Sequence, residues 1–425
     1  MLRSTENGDL LATVTDESLA ESIRGDAIHT TKLTLPSVDL SMETNTVTIS
    51  VVSDPGHSFS CPECGTGCSR HDKRQRKWRH LDTCQLATVI EAEVPRVRCP
   101  EHGVKLVDVP WAERGSLQTL LFESIVLKWL EVAPKSSVAE RMNIDWDTAQ
   151  RIQDRAVKRG LERRGPVSPT DVTIDETSEK KGHNYLTIVS DGEHVIHVEA
   201  GRDKDSIDAF WKTLTPEALE KVRSVSMDLW APYRTSTLEH VPEAASKICL
   251  DRFHVAGYFG KAVNEVRKRE HRDLTTEGDD TLKGTKYDWL RTSAKIDNRG
   301  RRSFMAIARS ALKTARAWAL KEMAHSLWNY AYVAVAEREW NKLFSRMARS
   351  RLKPVVKLAA SLRKYSWMII NAIRLKANSG HAEGNNSRIQ QVKKMACGFR
   401  NTENFKTAVY FHLGGLDMRP VLPTR

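Results

Sequence analysis

Residues 171–191 read DVTIDETSEKKGHNYLTIVSD. Two segments rich in β-branched and apolar residues, DVTIDET and NYLTIVSD, flank a short polar connection, which is the pattern of neighbouring strands. The first reads as a short strand ending at Asp175. The second opens a hairpin, NYLTIVSDGEHVIHVEAG (184–201), whose Asp191-Gly192 pair signals a type I′ turn. Beyond it, DKDSIDAFWKTL (203–214) and TPEALEKV (215–222) read as helices, and VRSVSMD (222–228) as a buried strand ending at Asp228. SKICLDRFHV (246–255) is a further strand running into a helix that begins near Asp251. Three meandering strands, helices and two more strands make an α/β core with carboxylates at its strand ends. Carboxylates brought together are unfavourable unless a cation lies between them. Hard oxygen ligands suit Mg²⁺ or Mn²⁺, and a pair of such ions drives phosphodiester chemistry.

Upstream of the core, GPVSPT (165–170) is a Pro/Gly-rich linker. Before it the pattern is helical from Leu117 to Arg164. Ser136 or Ser137 can cap a short helix, Asn143 can turn, and Asp147 with Thr148 can start a second helix. Ala149, Ile152, Ala156 and Val157 would then face inward, leaving Thr148, Gln150, Arg151 and Arg155 outward, as in a helix-turn-helix whose second helix enters a major groove. Nearer the start, CPECG at Cys61 and CPEHG at Cys99 are paired knuckles. Cys61, Cys64, Cys99 and His102 suit one tetrahedral structural Zn²⁺. The segment between them is read as a strand pair, with Cys68 and Cys84 spare. The basic run from Arg70 to His80, with Lys73, Arg74, Arg76, Lys77 and Arg79, is expected to meet phosphates.

Downstream, Ala256 to Lys376 is largely helical, with tryptophans at core spacing. From Lys342 to Ala382 there are ten Lys or Arg and no acid; Glu383 then stands alone until Glu403. Either Glu383 is a helix N-terminal charge or it is a metal ligand among groups that hold a polyanion.

The chain has 425 residues, a formal charge of +12, 28% charged and 40% hydrophobic residues, and seven cysteines. That balance excludes a disulfide framework and a transmembrane protein, and it calls for an anionic partner. No apolar signal core opens the chain, so a cytoplasmic location is expected.

Taken together, the paired knuckles, TIDETSEKKGHNYLTIVSD, VSMDLWAPYR, LDRFHV and HAEGNNSRIQQVKKMACGFRN resemble the bacterial insertion-sequence transposases of the ISL-three type. The resemblance runs from about Asn45 to the end. It implies a ribonuclease H-like catalytic core interrupted by an all-helical insertion and preceded by the two DNA-binding modules. It implies Asp175, Asp228 and Glu383 as catalytic ligands of two Mg²⁺ or Mn²⁺ ions, with Asp251 and His254 as helpers and Arg388, Lys393 and Lys394 on DNA. The implied divisions are an extension over 1–45, a zinc domain over 46–110, a helix-turn-helix over 111–165, core segments over 166–256 and 377–425, and an insertion over 257–376. The implied activity is cleavage and strand transfer at terminal repeats, by a homodimer on double-stranded DNA in the bacterial nucleoid. A repressor derived from such an enzyme, or a nuclease without strand transfer, would share most of these features.

Overall fold

In the computed structural model, residues 33–53, 58–178, 184–296, 298–377 and 380–421 are described; of these, 33–36, 298–300 and 380–383 are described by backbone alone. The chain forms two compact units, Met1–Arg163 with Asp417–Arg425, and Arg164–Leu416.

The first unit begins with six strands: β1 (Leu33–Ser41), β2 (Thr46–Ser53), β3 (Phe59–Ser60), β4 (Gly67–Thr83), β5 (Leu86–Cys99) and β6 (Gly103–Leu106). They form one sheet in the order β1-β2-β5-β4-β3, with β6 also on β5. Strand β5 is long enough to serve two partners along one edge. Its first half pairs parallel with β2 and its second half antiparallel with β6. The segment between the knuckles is therefore one long hairpin, and the basic run lies on β4. The turn residues Cys84 and Gln85 both have positive φ, 53° and 68°, the two-residue geometry that matches strand twist. Alternation buries Val47, Ile49 and Val51 of β2 against Trp78, Ile90 and Trp111. Strand β1, within the expected N-terminal extension, belongs to this sheet as well: VDLS (38–41) pairs in register with TVTI (46–49).

Three helices follow: α1 (Leu120–Val132), α2 (Lys135–Arg141) and α3 (Trp146–Arg164). Asn143 turns the chain between α2 and α3 with φ 49°. The cap of α3 is Asp145, two residues before the expected start, since its carboxylate accepts from the Thr148 amide at 2.6 Å and from the Thr148 hydroxyl at 2.8 Å. Likewise α2 starts after Pro134 without a side-chain cap, so neither Ser136 nor Ser137 fills that role.

The second unit is built on β7 (Asp171–Ser178), β8 (Tyr185–Ser190), β9 (Val195–Ala200), β10 (Ser224–Met227) and β11 (Ile248–Leu250), in the order β11-β10-β7-β8-β9. The pairs β7–β8 and β8–β9 are antiparallel, while β10 lies parallel to both β7 and β11. Strand β7 runs past Asp175 to Ser178, so Asp175 is within the strand rather than at its end: Asp175 pairs with Ile188 and the ladder continues to Tyr185. The β8–β9 connection is not the type I′ turn expected. Gly192 has φ 98° but Asp191 has no positive φ. The amide of Asp191 donates to the His194 carbonyl at 3.1 Å, and its carboxylate accepts from the amides of Glu193 and His194.

Helices α4 (Lys204–Trp211), α5 (Pro216–Lys221), α6 (Ala231–His240) and α7 (Ala244–Lys247) connect β9 to β11. Ile207, Phe210, Trp211 and Tyr233 pack with Val172, Ile174 and Val225 of the sheet. After β11 come α8 (Arg252–Thr276), α9 (Lys286–Leu290), α10 (Asn298–Ala308), α11 (Lys313–Leu327), α12 (Val333–Ala348), α13 (Lys353–Lys364) and α14 (Ser366–Arg374). Trp318 and Trp340 are buried in this block, at the core positions their spacing assigned. The chain closes with α15 (Gly380–Met395) and α16 (Thr402–Leu413). Ile389, Val392, Phe405 and Val409 from these two helices bury Leu186, Ile188, Val195 and Val198 of the sheet. Each such side chain contributes about 1.5–3 kcal/mol of burial, which makes the α15 seat on the sheet a firm one.

Candidate metal centre and carboxylate site

The two knuckles converge. The Sγ atoms of Cys61, Cys64 and Cys99 and a ring nitrogen of His102 lie within 4.8 Å of one another. Cys64 and Cys99 sulfurs are 3.7 Å apart, and Nδ1 of His102 is 3.6 Å from Cys99 and 4.0 Å from Cys61. A tetrahedron with zinc–sulfur bonds of about 2.3 Å has edges of roughly 3.8 Å, so these donors are already at ligand spacing. Gly65 and Gly103, with φ 73° and 68°, make the turns that bring each pair round. Hydrogen bonds from the Thr66 hydroxyl and backbone lower the Cys64 thiol to about 6, toward the thiolate a metal needs, while burial raises Cys61.

The DNA-facing expectations divide. Lys73 is spent on Glu93 at 2.8 Å and Lys77 on Glu91 at 3.3 Å, across the β4–β5 ladder. Arg70 lies over the Phe59 ring, and Arg79 pairs with Asp82 and covers the Phe122 ring. Arg74 and Arg76 make no ion pair among the described residues. On α3, Arg151 is 65% exposed, as expected, and donates to the Thr148 hydroxyl at 2.9 Å beside Asp145 at 3.8 Å. Gln150 and Arg155 are not free: Gln150 is 6% exposed, bonded to Lys135 and Asp154. Arg155 pairs at 2.5 Å with Glu123, which is fully buried in α1 and which also accepts from Ser116 at 2.8 Å. A carboxylate buried among helices must have its cation, and Arg155, with Arg159 one turn on at 3.5 Å, supplies it. Thr148 is buried too, by its bonds to Asp145. On α15, Arg388 donates to the His412 carbonyl at 3.0 Å and Lys393 to the Ser178 carbonyl at 2.5 Å; Arg388 and Lys394 are exposed.

The carboxylates are aligned by strand register. Ser226 pairs with Thr173 on one side and with Cys249 on the other. Two residues beyond these partners stand Asp175, Asp228 and Asp251, level with one another across three parallel strands. Period-two geometry carries them to the same face as their paired predecessors. They line a cavity of about 370 Å³ with Glu176, His254, Tyr258, Lys261 and Asn386. Asp251 caps α8 through the Phe253 amide at 2.6 Å, and His254 sits in the first turn, its Nε2 3.8 Å from Asp175 and its Nδ1 3.8 Å from Asp251. Burial alone would lower the His254 pKa. The carboxylates of Asp251, Asp175 and Asp228 outweigh it and raise it to about 9. Burial raises Asp175 above the usual carboxylate range, and it raises Glu176 with help from the Asp175 and Asp228 charges.

Three members went unnoticed in the sequence. Glu176 keeps a buried Oε2 without a hydrogen-bond partner among the described residues. The Tyr258 hydroxyl donates to Asp228 Oδ1, which also accepts the Leu229 amide at 2.6 Å. Asn386 donates its amide to Asp175 Oδ2, while Asp175 Oδ1 accepts the Glu176 amide at 2.7 Å. Tyr258 lies four residues after His254, one helical turn along the same face of α8, a spacing that could have been read. Glu383 lies in the first turn of α15, three residues before Asn386; its side chain is outside the described residues. Acidic oxygens crowded around an orphaned Oε2 suit a hard divalent cation, and the donor set at this site fits one.

A family model described as a transposase, the DDE domain of the ISL3 group, matches residues 172–409. The chain belongs to the ISL3 family of transposases. The zinc-finger model of transposases IS204, IS1001, IS1096 and IS1165 matches residues 57–102 of this transposase. The helix-turn-helix model of the ISL3 family matches residues 107–157. The transposase for insertion sequence element IS1557 of Mycobacterium tuberculosis is 28% identical over 396 residues, covering 86% of this chain and 87% of its own. The transposase for IS1001 of Bordetella parapertussis is 25% identical over 371 residues, covering 83% and 91%. The transposase is thus an enzyme with a zinc ribbon and a DNA-binding helix-turn-helix ahead of its DDE domain. No described helix is long and apolar enough to cross a membrane.

Proposed function

We propose that this transposase binds the terminal repeats of its element, cuts phosphodiester bonds there and joins the freed 3′-hydroxyl to target DNA. The observation that carries this reading is the row of Asp175, Asp228 and Asp251 abreast on parallel strands, lining one cavity with Asn386 of α15. In this reading Asp175 and Asp228 are two of the catalytic ligands, and Glu383 of α15 is the third. The five-stranded sheet with α15 is a ribonuclease H-like core, and residues 257–376, most of α8 through α14, form an insertion within it. The domain divisions given from sequence, with β1 moved into the zinc domain, are part of the proposal. Divalent cations bound at these carboxylates, Mg²⁺ or Mn²⁺ in a pair, would activate the attacking oxygen and stabilise the leaving one.

The chain's own groups have defined tasks. Donors fixed on Asp228 Oδ1 leave its Oδ2 free to bind. Asp251 and His254 lie beside the ligands as helpers, the His254 ring 3.8 Å from both Asp175 and Asp251. Arg74, Arg76, Arg151, Arg388 and Lys394 are the side chains assigned to phosphates in this reading, and a homodimer would hold paired ends. The test is purified full-length protein with labelled element ends, a target plasmid and Mg²⁺. Joined product supports the reading, cut but unjoined ends make it a nuclease, and binding without cutting makes it a repressor.

A further inference from the structure

Helix α15 is fastened along β7 by a run of polar contacts. Asn386 bonds Asp175, Gln390 Nε2 donates to the Thr177 hydroxyl at 3.1 Å, and Lys393 Nζ donates to the Ser178 carbonyl at 2.5 Å. Positions 386, 390 and 393 follow the helical i, i+4, i+7 series, and 175, 177 and 178 climb the strand beside them. The first contact differs in kind from the other two, because its acceptor is a carboxylate of the cavity.

We infer that Asn386 is a positioning residue for the metal-binding carboxylates: it orients Asp175 and fixes the register of the Glu383-bearing helix against β7. This rests on the reading of Asp175 and Glu383 as ligands. The chemistry favours an amide over any charged donor. An ionised carboxylate only accepts, so the Asn386 NH₂ must face it and the side-chain orientation is determined. Each Asp175 oxygen then holds one donor, the Glu176 amide on Oδ1 and Asn386 on Oδ2, and each keeps a lone pair for the cavity. A lysine at 386 would cancel the charge that a cation needs; the neutral amide fixes direction and leaves the charge in place. Hydrogen-bond partners of metal ligands commonly matter this way.

The experiment uses the full-length protein and Mn²⁺ as the probe, with binding read by calorimetry and cleavage read against Mn²⁺ concentration. Asn386→Leu, similar in size but without the donor, and Asn386→Ala should each weaken Mn²⁺ binding by about tenfold. Their cleavage should recover toward wild type at saturating Mn²⁺, because the ligands themselves remain. Lys406→Ala is the control for looser helix packing, since it removes the tie between α16 and Glu199 of β9 at 2.9 Å. It should lower Tm and leave the Mn²⁺ midpoint unmoved. A wild-type Mn²⁺ midpoint in folded Asn386→Leu overturns the inference, as does an equal shift in Lys406→Ala. Asp175→Asn and Glu383→Gln run beside them separate the failures. If those two still cleave, the assignment of ligands falls; if they are dead while the Asn386 variants bind Mn²⁺ normally, only the role of Asn386 falls.

Discussion

The two acid-and-thiol clusters of this transposase are built in opposite ways. The knuckle site is closed: four soft donors from two short motifs reach ligand spacing before any ion is considered, and among the described residues no other cluster does so. The carboxylate site is open. Its residues come from β7, the ends of β10 and β11, α8 and α15, and they stand level rather than converged, with Tyr258 and Asn386 occupying lone pairs and His254 3.8 Å from Asp175. A site that holds a fold is finished in advance, and one that performs chemistry keeps lone pairs and space for substrate.

The contrast can be broken most severely at the open site. Asp175→Asn, Asp228→Asn or Glu383→Gln should each lower cleavage of labelled ends by about 10²–10³-fold or more, with DNA binding retained. Cutting at wild-type rate by Glu383→Gln would make that residue an ordinary helix-start charge. At the closed site the loss should be structural instead: Cys64→Ser, or a strong chelator, should release zinc and unfold the first unit. Elemental analysis with circular dichroism checks this, and well-folded protein without zinc would refute it.

A smaller effect separates the arginines of α3. Arg155→Ala leaves Glu123 buried without its nearest cation and should cost about 3 kcal/mol in denaturant unfolding. Arg151→Ala should leave stability unchanged and weaken duplex binding with a shallower salt dependence. The weakest effect is pH-linked. In metal-free protein the His254 pKa is raised from 6.5 to about 9, so its stabilising contribution is full below 6.5 and is lost as pH rises through 9. Tm of zinc-loaded protein without Mg²⁺ or Mn²⁺ should fall over that window, and His254→Asn should flatten the fall.

These outcomes bear on what the sequence disclosed. The knuckles were legible because both ligand pairs are local and the turns need glycine. The strands carrying Asp175, Asp228 and Asp251 were legible from their apolar runs, although the end of β7 was not, since DET and S continue a ladder without apolar character. Gln150 and Arg155 misled because an outward-looking helical position gives no sign of its tertiary partners, Lys135 for Gln150 and the buried Glu123, 32 residues upstream, for Arg155. The bonds of Lys393 and Arg388 were not legible either, as their acceptors are backbone carbonyls, which have no sequence signature. Glu176 and Asn386 lay beside residues already singled out, yet what makes them members is tertiary: an orphaned oxygen in one case and a bond across 211 positions in the other.

The level row of carboxylates also acts as a ruler for how this chain can diverge. One residue inserted within β7 or β10 would move its aspartate about 3.3 Å along and turn it to the other face of the sheet. The same insertion in the β8–β9 connection, or between helices of the α9–α14 block, would leave the row untouched. Related genes should therefore vary freely in length between these elements while keeping strand lengths fixed. A scan of single-residue insertions, scored for excision, should return a map with silent connections and two short intolerant intervals ending at Asp175 and Asp228.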